Sequence, residues 1–238
     1  NILLNSYGSL TEDVIANFTL QILFALKYLS EYLDREHGFL SPTCILMTSN
    51  GSVKLGGLEK RILYHAKHDQ NKKHPYSTIA IRDALMFAPE KAATFIDNNT
   101  ILTKEQTFKA DIWSLGCIIL EMCTGEPLFD PDEIKNVHDA YNLLKTIYRN
   151  SSKHTIKYKN QVVFPPTFST NTSPILIDFI MSCLTIQSNS RISIDELLDH
   201  EFLDNAWNYW ENQDQNDQNS RSNSRLDSNH GGLIETLS

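Results

Sequence analysis

The side chains best suited to chemistry are unevenly spread along this 238-residue chain. His65, His68 and His74 lie in one stretch with Lys60, Arg61, Lys67, Lys72 and Lys73. Imidazoles are common zinc ligands, so metal binding is the first chemistry to weigh. Their spacings of three and six residues do not match a closed site with supporting partners, so the stretch reads as a solvated basic loop. The four cysteines, Cys44, Cys117, Cys123 and Cys183, form no C-x-x-C pair. They read as reduced, partly buried thiols of a cytoplasmic protein. On that reading the sequons at Asn17, Asn50, Asn98, Asn150 and Asn171 carry no weight, because glycosylation needs the secretory route.

The charge balance narrows the partners. Twenty-one Lys+Arg against 29 Asp+Glu leave a net charge of −8, so no nucleic-acid or anionic-membrane partner is expected. A hydrophobic fraction of 41%, with 10% aromatic residues, suits one or two packed domains and not a wholly disordered chain. No apolar run approaches the roughly 18 residues that would suggest a membrane-spanning helix. No basic segment precedes an apolar core, so no secretory signal is read. The chain opens at Asn1 and not Met, which reads as a fragment or a missing N-terminus.

Stepping outward to the elements, residues 11–34 read as one long helix. Thr11 is the expected N-cap, with Glu12 and Asp13 on the positive end of the dipole. Val14, Phe18, Ile22, Ala25, Leu29 and Leu33 recur at helical spacing, and further apolar residues predict burial on most sides. Residues 44–56 read as a hairpin turning at Asn50-Gly51. Residues 59–87 lack periodicity and read as a surface loop. Residues 108–124 predict a second apolar helix, stopped at Gly125. Three or four further helices are expected between Asp132 and Asn208, including 174–184 and 194–202, with Pro165-Pro166 and Pro174 as breaks. From Glu211 to His230 only Leu226 is apolar, so 211–238 reads as a polar, disordered tail or linker after a 1–210 domain.

Six landmarks in this order resemble the C-terminal lobe of eukaryotic protein kinases. His37 followed by Leu40-x-Pro42 is similar to the frame of H-R-D-L-K-P. Ala88-Pro89-Glu90 looks like the A-P-E end of the activation segment. Asp111-Ile112-Trp113-Ser114-Leu115-Gly116 looks like D-x-W-S-x-G, and Gly125-Glu126-Pro127-Leu128-Phe129 like G-x-x-P-F. Arg191 resembles the late arginine that pairs with the A-P-E glutamate, and Leu197 to Phe202 the L-x-H-x-F ending. The resemblance spans about residues 5 to 204. It implies a mainly α, protein-kinase-like fold: a C-terminal lobe with a short β-hairpin, the N-terminal lobe missing.

The resemblance also says which residues should react. Phosphoryl transfer is mostly positioning and charge stabilisation, using an Asp base, an Asn and an Asp on Mg²⁺, and a phosphate-binding Lys. Carried over, the base position holds Phe39, which accepts no proton. The neighbouring basic positions hold Gly38 and Ser41. The metal Asn position holds Cys44, a poor ligand for a cation that demands hard oxygens. The D-F-G triplet is Gly57-Leu58-Glu59, and Gly57 has nothing to bind a metal with. No Gly-rich loop or V-A-I-K-like strand occurs. The expectation is a site without catalytic, cofactor-binding or metal residues, and no cofactor.

What the resemblance leaves is skeletal. Glu90 and Arg191 should form a buried ion pair, and Asp111 should accept backbone N–H bonds from Gly38-Phe39. Trp113 should pack in the core of its motif, and His37 and Leu58 should fill the lower regulatory-spine positions. Leu40-Ser41-Pro42 without the base Asp is similar to the kinase-like domain of TBC-domain-containing protein kinase-like proteins, regarded as pseudokinases with a Rab-GAP-like domain downstream. The resulting expectation is a catalytically inactive, cytoplasmic interaction or regulatory module with protein partners, among them the small-GTPase pathway. The rival is an atypical ATP-dependent Ser/Thr kinase in which Glu59 replaces a metal ligand. Ser77 and Thr78 are candidate phosphosites, and the basic loop at 59–74 a candidate partner contact.

Overall fold

The computed structural model of the chain describes residues 9–60, 81–96, 100–125, 134–136, 139–144, 156–158, 161–164 and 172–212. Within them the protein is mostly helical, with two small antiparallel sheets. The expectations for His65, His68, His74, Arg61, Lys67, Lys72, Lys73, Ser77 and Thr78, for the Pro127-Phe129 turn, and for the chain beyond residue 212 lie outside the described residues.

Helix α1, Glu12–Tyr32, carries the first half of the core. Thr11 is extended at its N-cap, but its side chain makes no capping hydrogen bond. The acid at Glu12 has another use: its carboxylate accepts from Ser173 N–H (2.7 Å) and Ser173 Oγ (2.6 Å). The buried face is Ile15, Ala16, Thr19, Leu20, Ile22, Leu23, Leu26 and Leu29. The expected stripe holds at Ile22 and Leu29 and fails at its ends, where Val14 and Leu33 are exposed; Phe24, on another face, is exposed too. Apolar residues on several faces give the periodicity little contrast, and the helix's neighbours choose the buried face.

The hairpin pairs β1, Ile45–Met47, with β2, Val53–Leu55, Ile45 facing Leu55 and Met47 facing Val53. Gln21 of α1 accepts the Val53 N–H (2.7 Å), fastening the hairpin to the helix.

The surface-loop reading of 59–87 fails at its end. Ile81–Leu85 is a short helix, α2, and Asp83, Ala84, Leu85, Met86 and Phe87 are buried. Arg82 Nη2 donates to the buried Glu121 (2.6 Å), so this stretch carries a half-buried, paired charge. Helix α3, Pro89–Ile96, follows. Helix α4, Lys104–Thr124, starts earlier than its apolar run, because Thr103 and Gln106 form a complete capping box. It ends at Gly125, whose φ of 74° places it in the left-handed region.

Residues 156–158 and 161–164, within the span where only further helices were expected, form antiparallel strands β3 and β4, with Tyr158 facing Gln161. Helix α5, Pro174–Cys183, is capped by Ser173, which accepts from Leu176 N–H. Helix α6, Ile194–Leu198, has a capping box from Ser193 and Glu196. A 3₁₀ turn at Glu201–Leu203 leads into helical residues 204–212. Helix α1 packs on α4, β2 and α6, and α4 packs on α3 and α5. No described helix is long and apolar enough to cross a membrane.

Candidate active-site cleft

Helix α4 organises the cleft through its central Asp-x-Trp-Ser-x-Gly run, and the structure gives these positions separate tasks. Asp111 is buried and accepts from His37 N–H (2.7 Å) and Gly38 N–H (2.9 Å). The expected donors were Gly38 and Phe39, so the anchor lies one residue earlier. The Phe39 N–H turns back to His37 Nδ1 (3.3 Å). Burial lifts the Asp111 pKa above its ordinary value, although Lys91, His37 and the two N–H bonds favour the charged form.

Trp113 places its ring 5.2 Å from the Arg191 guanidinium. Ser114 Oγ donates to the Met86 carbonyl (2.7 Å), holding the segment before α3. At Gly116 a Cβ would come within 2.7 Å of Cys183 Cβ and 2.9 Å of Leu184, so the close approach of α5 requires glycine.

Arg191 is almost wholly buried and fully used. Its Nη1 reaches Glu90 Oε1 (2.6 Å) and the Lys109 carbonyl (2.6 Å). Nη2 reaches Glu90 Oε2 (3.0 Å) and the Ile186 carbonyl (3.4 Å), and Nε donates to the Thr185 carbonyl (2.9 Å). This forked pair joins α3, α4 and the loop after α5. His37 is buried, and its Nε2 lies 2.8 Å from the Gly56 carbonyl, joining the loop to the hairpin. Leu58 is partly buried and packs against the same core.

The loop that Asp111 anchors presents different chemistry. Phe39 is buried, meets Phe87 edge-on at 5.5 Å, and lies 4.7 Å from Lys91 Nζ. Lys91 is also 4.6 Å from the Phe87 ring, so an ammonium sits over two aromatic faces. Beside them lies a polar cluster. Ser41 Oγ donates to Asp83 Oδ1 (2.6 Å), and Thr43 Oγ1 donates to the same oxygen (3.2 Å). Lys60 Nζ donates to Asp83 Oδ2 (2.8 Å) and Thr43 Oγ1 (2.9 Å), and lies 3.5 Å from Cys44 Sγ. Burial alone would push the Lys60 ammonium down, and the hydrogen bond and charge of Asp83 reverse this, so its pKa lies above the ordinary lysine value. Cys44 Sγ donates to the Phe39 carbonyl (3.2 Å).

Gly57 completes the arrangement. Its φ is +83°, and a Cβ there would meet Cys44 Sγ at 2.6 Å. Both conformation and space therefore exclude an ordinary side chain while Cys44 is present.

Residues 1–203 match the protein kinase domain family. The chain belongs to that family. A mitogen-activated protein kinase kinase kinase 3 of Arabidopsis thaliana is 29% identical over 206 residues, covering 84% of this chain and 26% of the relative. A mitogen-activated protein kinase kinase kinase 2 of the same plant is 27% identical, covering 84% of this chain and 26% of the relative. The mitogen-activated protein kinase KSS1 of Saccharomyces cerevisiae is 28% identical over 218 residues, covering 84% of this chain and 55% of the relative. The chain thus spans about a quarter of the first relatives' length and about half of the last.

Protein kinases use magnesium-bound ATP, and the donor set here does not fit the metal. Cys44 offers sulfur, Gly57 offers no side chain, and Phe39 offers only carbon. The nearby carboxylate, Asp83, already receives the Lys60 ammonium and two hydroxyls. Glu59 is exposed. Among the described residues, no group of three or more His, Cys, Asp or Glu is placed to hold a metal.

Sequence reasoning missed the Ser41–Thr43–Lys60–Asp83 cluster. Lys60 and Asp83 stand 23 residues apart, in a stretch read as one solvated loop. A sequence clue was present: Asp83 lies five residues before Ala88 in a largely apolar run, where an unpaired carboxylate would be costly to bury.

Proposed function

We propose that this protein-kinase-family chain is the helical lobe of a catalytically inactive module, acting as a scaffold or regulatory interaction domain. One observation carries the reading: Cys44 Sγ fills the space that any side chain at Gly57 would need. Two metal-ligand positions are thus replaced in a mutually dependent way. The base position adds to this, because Phe39 is packed beneath Lys91. Loss of a general base alone typically costs about 10²–10⁴ in rate.

The test is phosphate transfer and ATP-analogue binding by the full-length protein, with magnesium and with manganese. Transfer no greater than that of a heat-inactivated control supports the reading. Transfer that disappears on Glu59→Ala overturns it in favour of an atypical ATP-dependent Ser/Thr kinase, a reading supported by the kinase names of the relatives. A TBC-type context, with small-GTPase-pathway partners, rests on Leu40-Ser41-Pro42 alone. A TBC domain encoded in the same transcript would support it, and a transcript without one would remove it.

A further inference from the structure

The outer face of α1 carries an aromatic stripe that the core does not use. Phe24, Tyr28 and Tyr32 are 39%, 54% and 74% exposed. They recur every fourth residue, so they share one face of the helix. Trp207 closes the stripe from helical residues 204–212, meeting Phe24 edge-on at 5.1 Å. Tyr28 and Tyr32 stack at 5.2 Å with their planes 23° apart. Together they floor a groove of about 530 Å³. Outward-facing large aromatics grouped in this way mark interaction surfaces more often than random surface does.

The rim identifies the partner's chemistry. Glu31, Asp195 and Asp199 line the groove against one base, Lys27. Lys27 Nζ is already engaged, 2.5 Å from Asp195 and 3.5 Å from Glu31. Three carboxylates against one ammonium leave a negative rim over an aromatic floor. A guanidinium satisfies both at once: its plane stacks on a tyrosine or tryptophan face, and its fork pairs with a carboxylate. A lysine supplies the charge without the plane, and an acidic segment is repelled.

We propose that this groove binds an arginine-bearing peptide segment of a partner protein. The groove shares no residue with the Phe39–Cys44–Gly57–Lys60–Asp83 cleft, so the assignment holds whether or not the cleft transfers phosphate.

The test uses the purified full chain and random heptapeptide pools whose central residue is fixed as Arg, Lys, citrulline or Glu. Binding to each pool is measured at low and at physiological salt. Arg pools should bind about tenfold more tightly than citrulline pools, as expected for loss of a charge-assisted contact. They should exceed Lys pools and weaken with added salt. Asp199→Lys and Tyr28→Ala, at exposed positions, should each weaken Arg-pool binding about threefold or more, with unchanged circular dichroism. Arg binding no tighter than citrulline or Lys, no binding to any pool, or affinity unmoved by both variants would overturn the assignment. Should one variant unfold, the other still decides. Phosphate transfer measured on the same preparation reports separately on the cleft reading.

Discussion

The two regions joined by Asp111 treat buried charge in opposite ways. On the α4 side, Arg191 is paired with Glu90 and three backbone carbonyls, and Asp111 with two backbone N–H groups. These charges tie elements together and keep the family's arrangement. On the cleft side, the positions proposed above for the base and the metal ligands hold Phe39, Cys44 and Gly57, and the charges beside them are held by side chains of the cleft itself. Lys60 and Asp83 neutralise each other, and Lys91 lies on aromatic rings. The difference teaches that buried polar groups must be satisfied in both regions, by backbone groups and a forked ion pair on the α4 side and by Ser41, Thr43 and Lys60 around Asp83 in the cleft.

The largest test of this contrast is Arg191→Ala. It strands Glu90 and three carbonyls, and the expected loss is about 3–5 kcal/mol, read from urea unfolding. A loss below about 1 kcal/mol would equate the frame with an ordinary surface pair.

Asp111→Asn should cost about 1.5–3 kcal/mol, because its amide can accept from only one of the two N–H donors. It also has a pH signature. Burial lifts the Asp111 pKa above its ordinary 3.8, so between those two values the native state holds the proton more tightly than the unfolded chain. This group's contribution to stability is therefore most favourable below 3.8 and declines as pH rises through the raised value. Unfolding midpoints across pH should lose that slope in the Asn variant. Identical slopes would show that Asp111 is not burdened by desolvation.

In the cleft, Gly57→Ala should cost about 1–3 kcal/mol from the positive φ and the Cys44 contact. In a Cys44→Ala background the cost should fall by about 0.5–1 kcal/mol or more, a coupling measurable in a double-mutant cycle. Strict additivity would separate the two substitutions and remove the main support for a mutually dependent loss of metal ligands.

The smallest effect is expected for Lys60→Met, about 1–2 kcal/mol, the cost of leaving the buried Asp83 Oδ2 without its ammonium. Lys60 is partly exposed, and Asp83 keeps its Ser41 and Thr43 hydroxyls. A loss as large as that of Arg191→Ala would mean that the cleft pair is part of the frame.

Much of the frame was legible in order and spacing. The helix over 11–34, the hairpin about Asn50-Gly51, the second long helix and its stop at Gly125 all occur close to where the residues place them. An Asn-Gly turn and a terminal glycine are local devices, so a sequence can display them. The small hairpin at 156–164 was not legible, and neither was the buried end of the 59–87 stretch. Strand pairing and burial there depend on contacts from elsewhere in the chain.

By itself, then, the sequence determined the kinase-family order of landmarks and the identities at Phe39, Cys44 and Gly57, because residue type alone decides whether a hard-oxygen ligand exists. Packing in three dimensions sets which face of α1 is buried, makes His37 and Gly38 the residues anchored by Asp111, and brings Lys60 to Asp83. Folding also sets the Cys44 thiol where a Cβ at position 57 would have to lie. Those outcomes join groups far apart in the chain at hydrogen-bond or van der Waals distance, and no local propensity encodes such a distance.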